Sequence, residues 1–184
     1  DAVDVMELTN TDSSLPRIAY LPQFALAGRL YGRSLGWQPT LLHPNELMEG
    51  AFFDLVNLIP GIRNPTYFHQ NDPVVETLYK GHGRQINFVG TVIYRAEKTT
   101  MNDKERATSY AANLVKMLEA DGVILTFVGG GQPSVDLMLL CRKCERLGIK
   151  TTLLSPEMAL TVDDPGFCDF VSEADAIVST GNYE

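Results

Sequence analysis

The stretch DGVILTFVGGGQPSVDLMLLCRKCERLGIKTTLLSP, residues 121–156, decides the fold. VILTFV is a continuous apolar run, the pattern of a strand with both sheet faces covered. Gly129, Gly130 and Gly131 end it. PSVDLMLLCRKCERLG then carries apolar residues at helical spacing until Gly148 stops it. IKTTLL reads as the next strand. Strand, glycine turn, helix and strand in this order predict a parallel pair joined by a right-handed crossover.

The same alternation extends in both directions. RIAYL (17–21) reads as a strand, 24–35 as a helical stretch, and PTLLH (39–43) as a second strand. NELMEGA is a short helix capped by Asn45, and DLVNLI a weaker strand. NDPVVETLYKGHG has an Asx-Pro start and a glycine stop, the signals of a short helix. INFVGTVIY is a strand. In the following stretch, 101–122, Ala107, Ala111, Leu114, Val115 and Leu118 recur at helical spacing. ADAIVST is the last strand. The expected fold class is α/β, with a mainly parallel, Rossmann-like sheet and helices on both faces. The turn-rich segment 61–73 divides two similar α/β halves, 1–62 and 63–184. The chain opens on Asp1 and closes on STGNYE, and it reads as an internal piece of a longer product.

Composition narrows the function. The 184 residues carry a net charge of −8 with no basic stripe, which argues against a nucleic-acid binder. No apolar run approaches the ~20 residues of a membrane span. The three cysteines have no framework spacing, which predicts a reduced, cytoplasmic protein.

The glycine loop sits where open α/β sheets bind ligands, at the carboxyl end of a strand and the start of a helix. Its pattern is GGGxPxxD, neither GxGxxG nor GxxxxGK[ST]. Pro133 removes an amide where a phosphate would need one. Two readings stay open, a tight turn and a loop for a small ligand or a partner's segment. On the second, Gly129, Gly130, Gly131 and Gln132 contact a small carboxylate, favoured by the helix N-terminus. Asp136 falls in the first helical turn. It is counted among the substrate contacts, although it also suits the helix dipole and would oppose a bound anion if it faced inward.

CRKC lies late in its helix, where the dipole raises a thiol pKa, so Cys141 reads as a buried structural thiol. Zinc would need a second pair, and the sequence has none. Cys168 stands alone in a loop. His43 and His82 are dispersed, His82 at a helix end. His69 differs. It sits in the polar loop NPTYFHQND beside Tyr67, Gln70 and Asn71, the kind of segment that carries binding groups. His69 and Tyr67 are the candidate catalytic residues, and Asn71 joins the substrate contacts.

Several blocks in order carry a resemblance. They are LPRIAYL, PTLLHPNELMEGA, YFHQNDPVVETLYKGHGRQINFVG, DKERATSYAANLVKMLEADGVI, GGGQPSVDLMLLCRKCERLGIKT and ADAIVSTGN. Together they resemble the proprotein-derived subunits of component B of glycine/sarcosine/betaine reductase, related to the D-proline reductase proprotein. The likeness runs from about residue 15 to the end and corresponds to the middle of the family's longer product.

The resemblance implies a heteromeric enzyme that cleaves a C–N bond reductively in a small amine or amino-acid derivative. A partner subunit bearing cysteine or selenocysteine supplies the attacking chalcogen, and other fragments of the same precursor complete the assembly. It also implies cleavage of the precursor at an internal cysteine, which becomes a pyruvoyl group. Here the chain departs from the family. Residues 51–65 contain no Cys, Ser or Thr, and Asn57 stands where the processing cysteine is expected. An amide side chain cannot attack its own carbonyl to begin such a cut. The expectation is therefore an unprocessed chain without a pyruvoyl group, acting on a substrate that lacks a primary amine. The alternative is a scaffold subunit that only orders a catalytic partner.

Overall fold

The computed structural model describes residues 14–24, 28–31, 33–34, 36, 38–54, 69–96, 100–127, 131–157 and 166–182. β1 (Arg17–Phe24), β6 (Asn87–Arg95), β7 (Gly122–Thr126), β8 (Lys150–Glu157) and β9 (Ile177–Asn182) form the parallel body of a six-stranded sheet. β4 (Thr40–Leu42) pairs antiparallel with β6 at one edge. The order is β4-β6-β1-β7-β8-β9. β1 lies between β6 and β7, so the parts of the chain before and after residue 62 share one sheet.

Counted along the chain, the parallel strands follow the doubly wound order 2-1-3-4-5. The chain first steps sideways from β1 to β6, then returns across β1 to β7 and continues to β8. Right-handed crossovers in opposite directions place their helices on opposite faces. The first crossover holds α1 (Pro44–Met48) and α2 (Pro73–Gly81); the later ones hold α3 (Met101–Met117) and α4 (Gln132–Arg146). Tyr20, Leu47, Val75, Leu78, Phe88 and Ile93 pack together on the α1/α2 face. Leu21, Val92, Val115, Leu125, Leu137 and Leu140 pack on the other. Period-2 alternation along β1 supplies both cores, Ala19 and Leu21 to one face and Tyr20 to the other.

Two local expectations change. The described residues of the 24–35 stretch are not helical. β1 runs on to Phe24, and β2 (Gly28–Leu30), β3 (Arg33–Ser34) and β5 (Phe52–Asp54) make a small antiparallel sheet. A short stretch rich in glycine and aromatics favours paired ribbons over a helix. α1 is capped by His43, not Asn45. The Nδ1 of His43 accepts from the Asn45 amide at 3.2 Å, and Glu46 Oε2 accepts from the His43 amide at 2.7 Å, a reciprocal box. His82 ends α2 as read, but its Nδ1 accepts from the Phe88 amide at 3.0 Å, which ties the helix end to β6. Of the segment DLVNLI, only Asp54 lies within the described residues, as the last residue of β5.

Among the described residues no helix is long and apolar enough to cross a membrane.

Candidate functional site

The strand order reverses between β1 and β7, which opens a crevice beyond their carboxyl ends. A cavity of about 300 Å³ occupies that place. β1 contributes Tyr20, Gln23 and Phe24, and β7 contributes Thr126 and then Phe127. The third wall is the segment that leads into α2, with His69, which is helical where the sequence suggested a loop, then Asn71 in a turn and Asp72. Two cavities of similar volume lie along the outer side of α3 and α4. Volume therefore does not single out the site; position and converging polar groups do.

Asp72 is the N-cap of α2. Its Oδ1 accepts from the amides of Val74 (2.8 Å) and Val75 (3.2 Å). Its Oδ2 accepts from the Tyr20 hydroxyl at 3.0 Å. Tyr20 has one proton, so Thr126, 3.2 Å away, donates to the tyrosine oxygen. Burial pushes the Asp72 carboxyl above its ordinary pKa, with the Val75, Tyr20 and Val74 donors pulling the other way. Burial, then the Asp72 charge, pushes the Tyr20 phenol well above its usual range, so Tyr20 stays a donor. His69 is buried and meets the Phe24 ring edge-on, centroids 4.9 Å apart.

The start of α4 is fixed by side chains from β1 and α3 and by its own Ser134. Gln23 spends both amide protons, on the Tyr94 hydroxyl and on the Pro133 carbonyl, each at 3.0 Å. Lys104 from α3 donates to the Gln132 carbonyl at 3.2 Å. Ser134 Oγ donates to the Gly131 carbonyl at 2.7 Å and accepts from the Cys168 amide at 3.0 Å. Gly131 is the N-cap, with φ 71° and ψ −126°, a conformation that suits a residue without Cβ. Asp136 lies beneath this turn. It pairs with Lys104 at 2.9 Å, the two side chains 1% and 3% exposed. The anticipated inward carboxylate is thus present, with its charge matched by Lys104.

His69 and Asn71 come together at the cavity, whereas Gln132 is exposed at the head of α4 and Asp136 is enclosed. Tyr67, Asn57, Gly129 and Gly130 lie outside the described residues. Cys141 and Cys144 are buried, Cys141 Sγ lying 3.3 Å from Thr151 Oγ1, and Cys168 is exposed. Burial, then the neighbouring Cys141 and Glu145, push the Cys144 thiol up to about 12. No group of three or more His, Cys, Asp or Glu suited to a metal occurs among the described residues.

Sequence reasoning missed Tyr20, Gln23, Asp72, Thr126 and Lys104. Gln23 carried a signal, an amide inside an otherwise apolar strand segment, which a buried strand tolerates only with partners. Asp72 was legible as a helix cap, and its second oxygen's partner was not. Lys104 sits among exposed charges in sequence, and nothing local marks it as buried.

The whole chain, residues 1–184, matches the family model described as glycine/sarcosine/betaine reductase component B subunits. It is 35% identical over 185 residues to glycine reductase complex component B subunits alpha and beta of Acetoanaerobium sticklandii, covering 97% of this chain and 43% of that protein. It is 36% identical over 174 residues to sarcosine reductase complex component B subunit alpha of Peptoclostridium acidaminophilum, covering 91% and 40%. The betaine reductase complex component B subunit alpha of the same organism is 31% identical over 161 residues, covering 80% and 34%. The chain thus spans less than half the length of these relatives. No solved structure matches it. By the match along its full length, the chain belongs to the family of glycine/sarcosine/betaine reductase component B subunits.

Proposed function

We propose that this chain is part of a subunit in a heteromeric, cytoplasmic, component B-like reductase that cleaves a C–N bond in a small amine or amino-acid derivative. The observation that carries the reading is the cavity at the strand-order reversal, in a chain of this family, with converging polar groups from β1, β7 and the α2 turn. The cavity suits a molecule of a few heavy atoms. His69 and Asn71 line it and would orient the substrate. Tyr67, two residues before His69, joins them in this reading. The turn of Gly129, Gly130, Gly131 and Gln132 would receive the substrate carboxylate or a loop of the partner, since Lys104 offsets the charge of Asp136. The attacking chalcogen would come from a cysteine or selenocysteine of a partner subunit.

The subunit would work without a pyruvoyl group. Residues 51–65 offer no hydroxyl or thiol to begin the backbone cut, and Asn57 stands in the expected place. Substrates without a primary amine, such as betaine or sarcosine, fit a site that forms no imine.

The test is the full-length protein co-purified with the Cys- or selenocysteine-bearing subunit encoded beside it. Amine release from betaine or sarcosine in the presence of a dithiol is expected, with one intact mass and no hydrazine adduct. Fragments parting near Asn57 that react with hydrazine would overturn the pyruvoyl-free part. No amine release from any of the three family substrates would overturn the reductase reading. Release that is indifferent to His69→Ala would instead favour a scaffold.

A further inference from the structure

We propose that Asp72 sets the charge specificity of the cavity at the β1/β7 crevice, selecting small organic cations over neutral or anionic molecules of the same shape. The proposal rests on the cavity being the substrate site, and it adds which residue reads the substrate and by what property.

The first argument is the charge inventory. Among the described lining residues Asp72 is the one carboxylate, and none is Lys or Arg. Every hydrogen bond described for Asp72 comes from a neutral donor: the amides of Val74 and Val75 and the hydroxyl of Tyr20. A carboxylate has about four lone-pair sites, and three donors leave room for a fourth contact. No Lys or Arg among the described lining residues balances its negative charge, the imidazole of His69 being the one basic side chain there, and burial opposes it. A ligand cation supplies the missing opposite charge.

The second argument concerns the amides that an anion would seek. A helix N-terminus attracts anions when its first amides are open. At α2 the Val74 and Val75 amides already point at Asp72 Oδ1, and Pro73 has no amide to offer. An anion here would lie beside a carboxylate and gain no open amide from the first turn of α2.

The third argument is the wall. Tyr20, Phe24 and Phe127 line the cavity together with Pro22, Pro73 and Val74. Aromatic and aliphatic surface accepts an alkylated ammonium at little desolvation cost, and aromatic faces attract it. A hydrated inorganic cation would ask for several more oxygen ligands than these residues give.

The experiment titrates the full-length protein with three compact probes, each with a head of at least three methyl groups. They are tetramethylammonium (cation), tert-butanol (neutral) and pivalate (anion), followed by calorimetry or ligand-observed NMR. Tetramethylammonium is expected to bind saturably, and the other two more weakly by roughly tenfold or more, the worth of one charge-assisted contact. Asp72→Asn and Asp72→Ser both keep an N-capping side chain and remove the charge. Each is expected to bring tetramethylammonium down to the level of tert-butanol. Either variant suffices if the other fails to give a cooperative melt. Pivalate binding as tightly as tetramethylammonium, or unchanged cation affinity in the Asp72 variants, would overturn the proposal. Amine release from the assembled complex decides the reductase reading separately. A charge-blind cavity in an active complex sinks this proposal alone, and cation selectivity in an inactive complex sinks that reading alone.

Discussion

Lys104 and Asp136 carry opposite charges out of water together, and neither is tolerable alone. Lys104→Met leaves Asp136 enclosed without its cation, so urea unfolding should show a loss of about 3–5 kcal/mol. The double variant Lys104→Met, Asp136→Leu should lose less than either single change, because no charge is stranded. A double variant as damaged as the sum of the singles would show that the pair does not act as one unit. The thiols separate as cleanly. Cys141 and Cys144 are buried and Cys168 is exposed, so native protein at pH 8 should take up one iodoacetamide and denatured protein three. Burial raises Cys144 from 9.0 to about 12. Its favourable contribution to stability is therefore full below pH 9.0 and is lost as pH rises through about 12. Rapid alkylation of Cys144 in the native state would contradict that environment. Residue types and a helical period sufficed to place Cys141 on the apolar face. The partner of Lys104 lies 32 residues away on another helix, a distance no local pattern reports.

Elements were legible where the hydrophobic period was long. α3, α4, β6 and β8 stand within a few residues of where their patterns put them. The 24–35 stretch was not, because a run of short ribbons with mixed residues carries neither period clearly. α4 shows how an element positions a site. The carbonyls of Gly131, Gln132 and Pro133 accept from Ser134, Lys104 and Gln23, which fixes the end of the glycine turn to the helix's own first turn, to α3 and to β1. Gly131 is the hinge of this arrangement. A Cβ there meets nothing within 4 Å, so Gly131→Ala tests backbone conformation alone. The substitution should cost about 1–3 kcal/mol, read from denaturant midpoints with an unchanged slope. A neutral result would mean that the turn relaxes out of its positive-φ conformation without loss.

At the scale of the whole molecule, strand–helix alternation was enough to predict a parallel sheet covered on both faces. It could not give the strand order, because sequence period says nothing about which neighbour a strand chooses. That order matters most for function, since it puts the reversal between β1 and β7 and brings Tyr20, His69, Asp72 and Thr126 from distant parts of the chain to one cavity. His69 and Asn71 were singled out from a polar segment, although His69 is helical and not in a loop; their companions on β1 and β7 were not, because each looks like an ordinary strand residue. The central claim is that this cavity is where the complex holds its substrate. Asn71 is exposed at its rim, so Asn71→Trp should fill the cavity and spare the core. The most direct measurement is the rate of amine release by the assembled complex carrying Asn71→Trp, beside wild type prepared in parallel and with melting curves for both. The account predicts an unchanged melt and a rate reduced to background; an unchanged melt with a wild-type rate would contradict it.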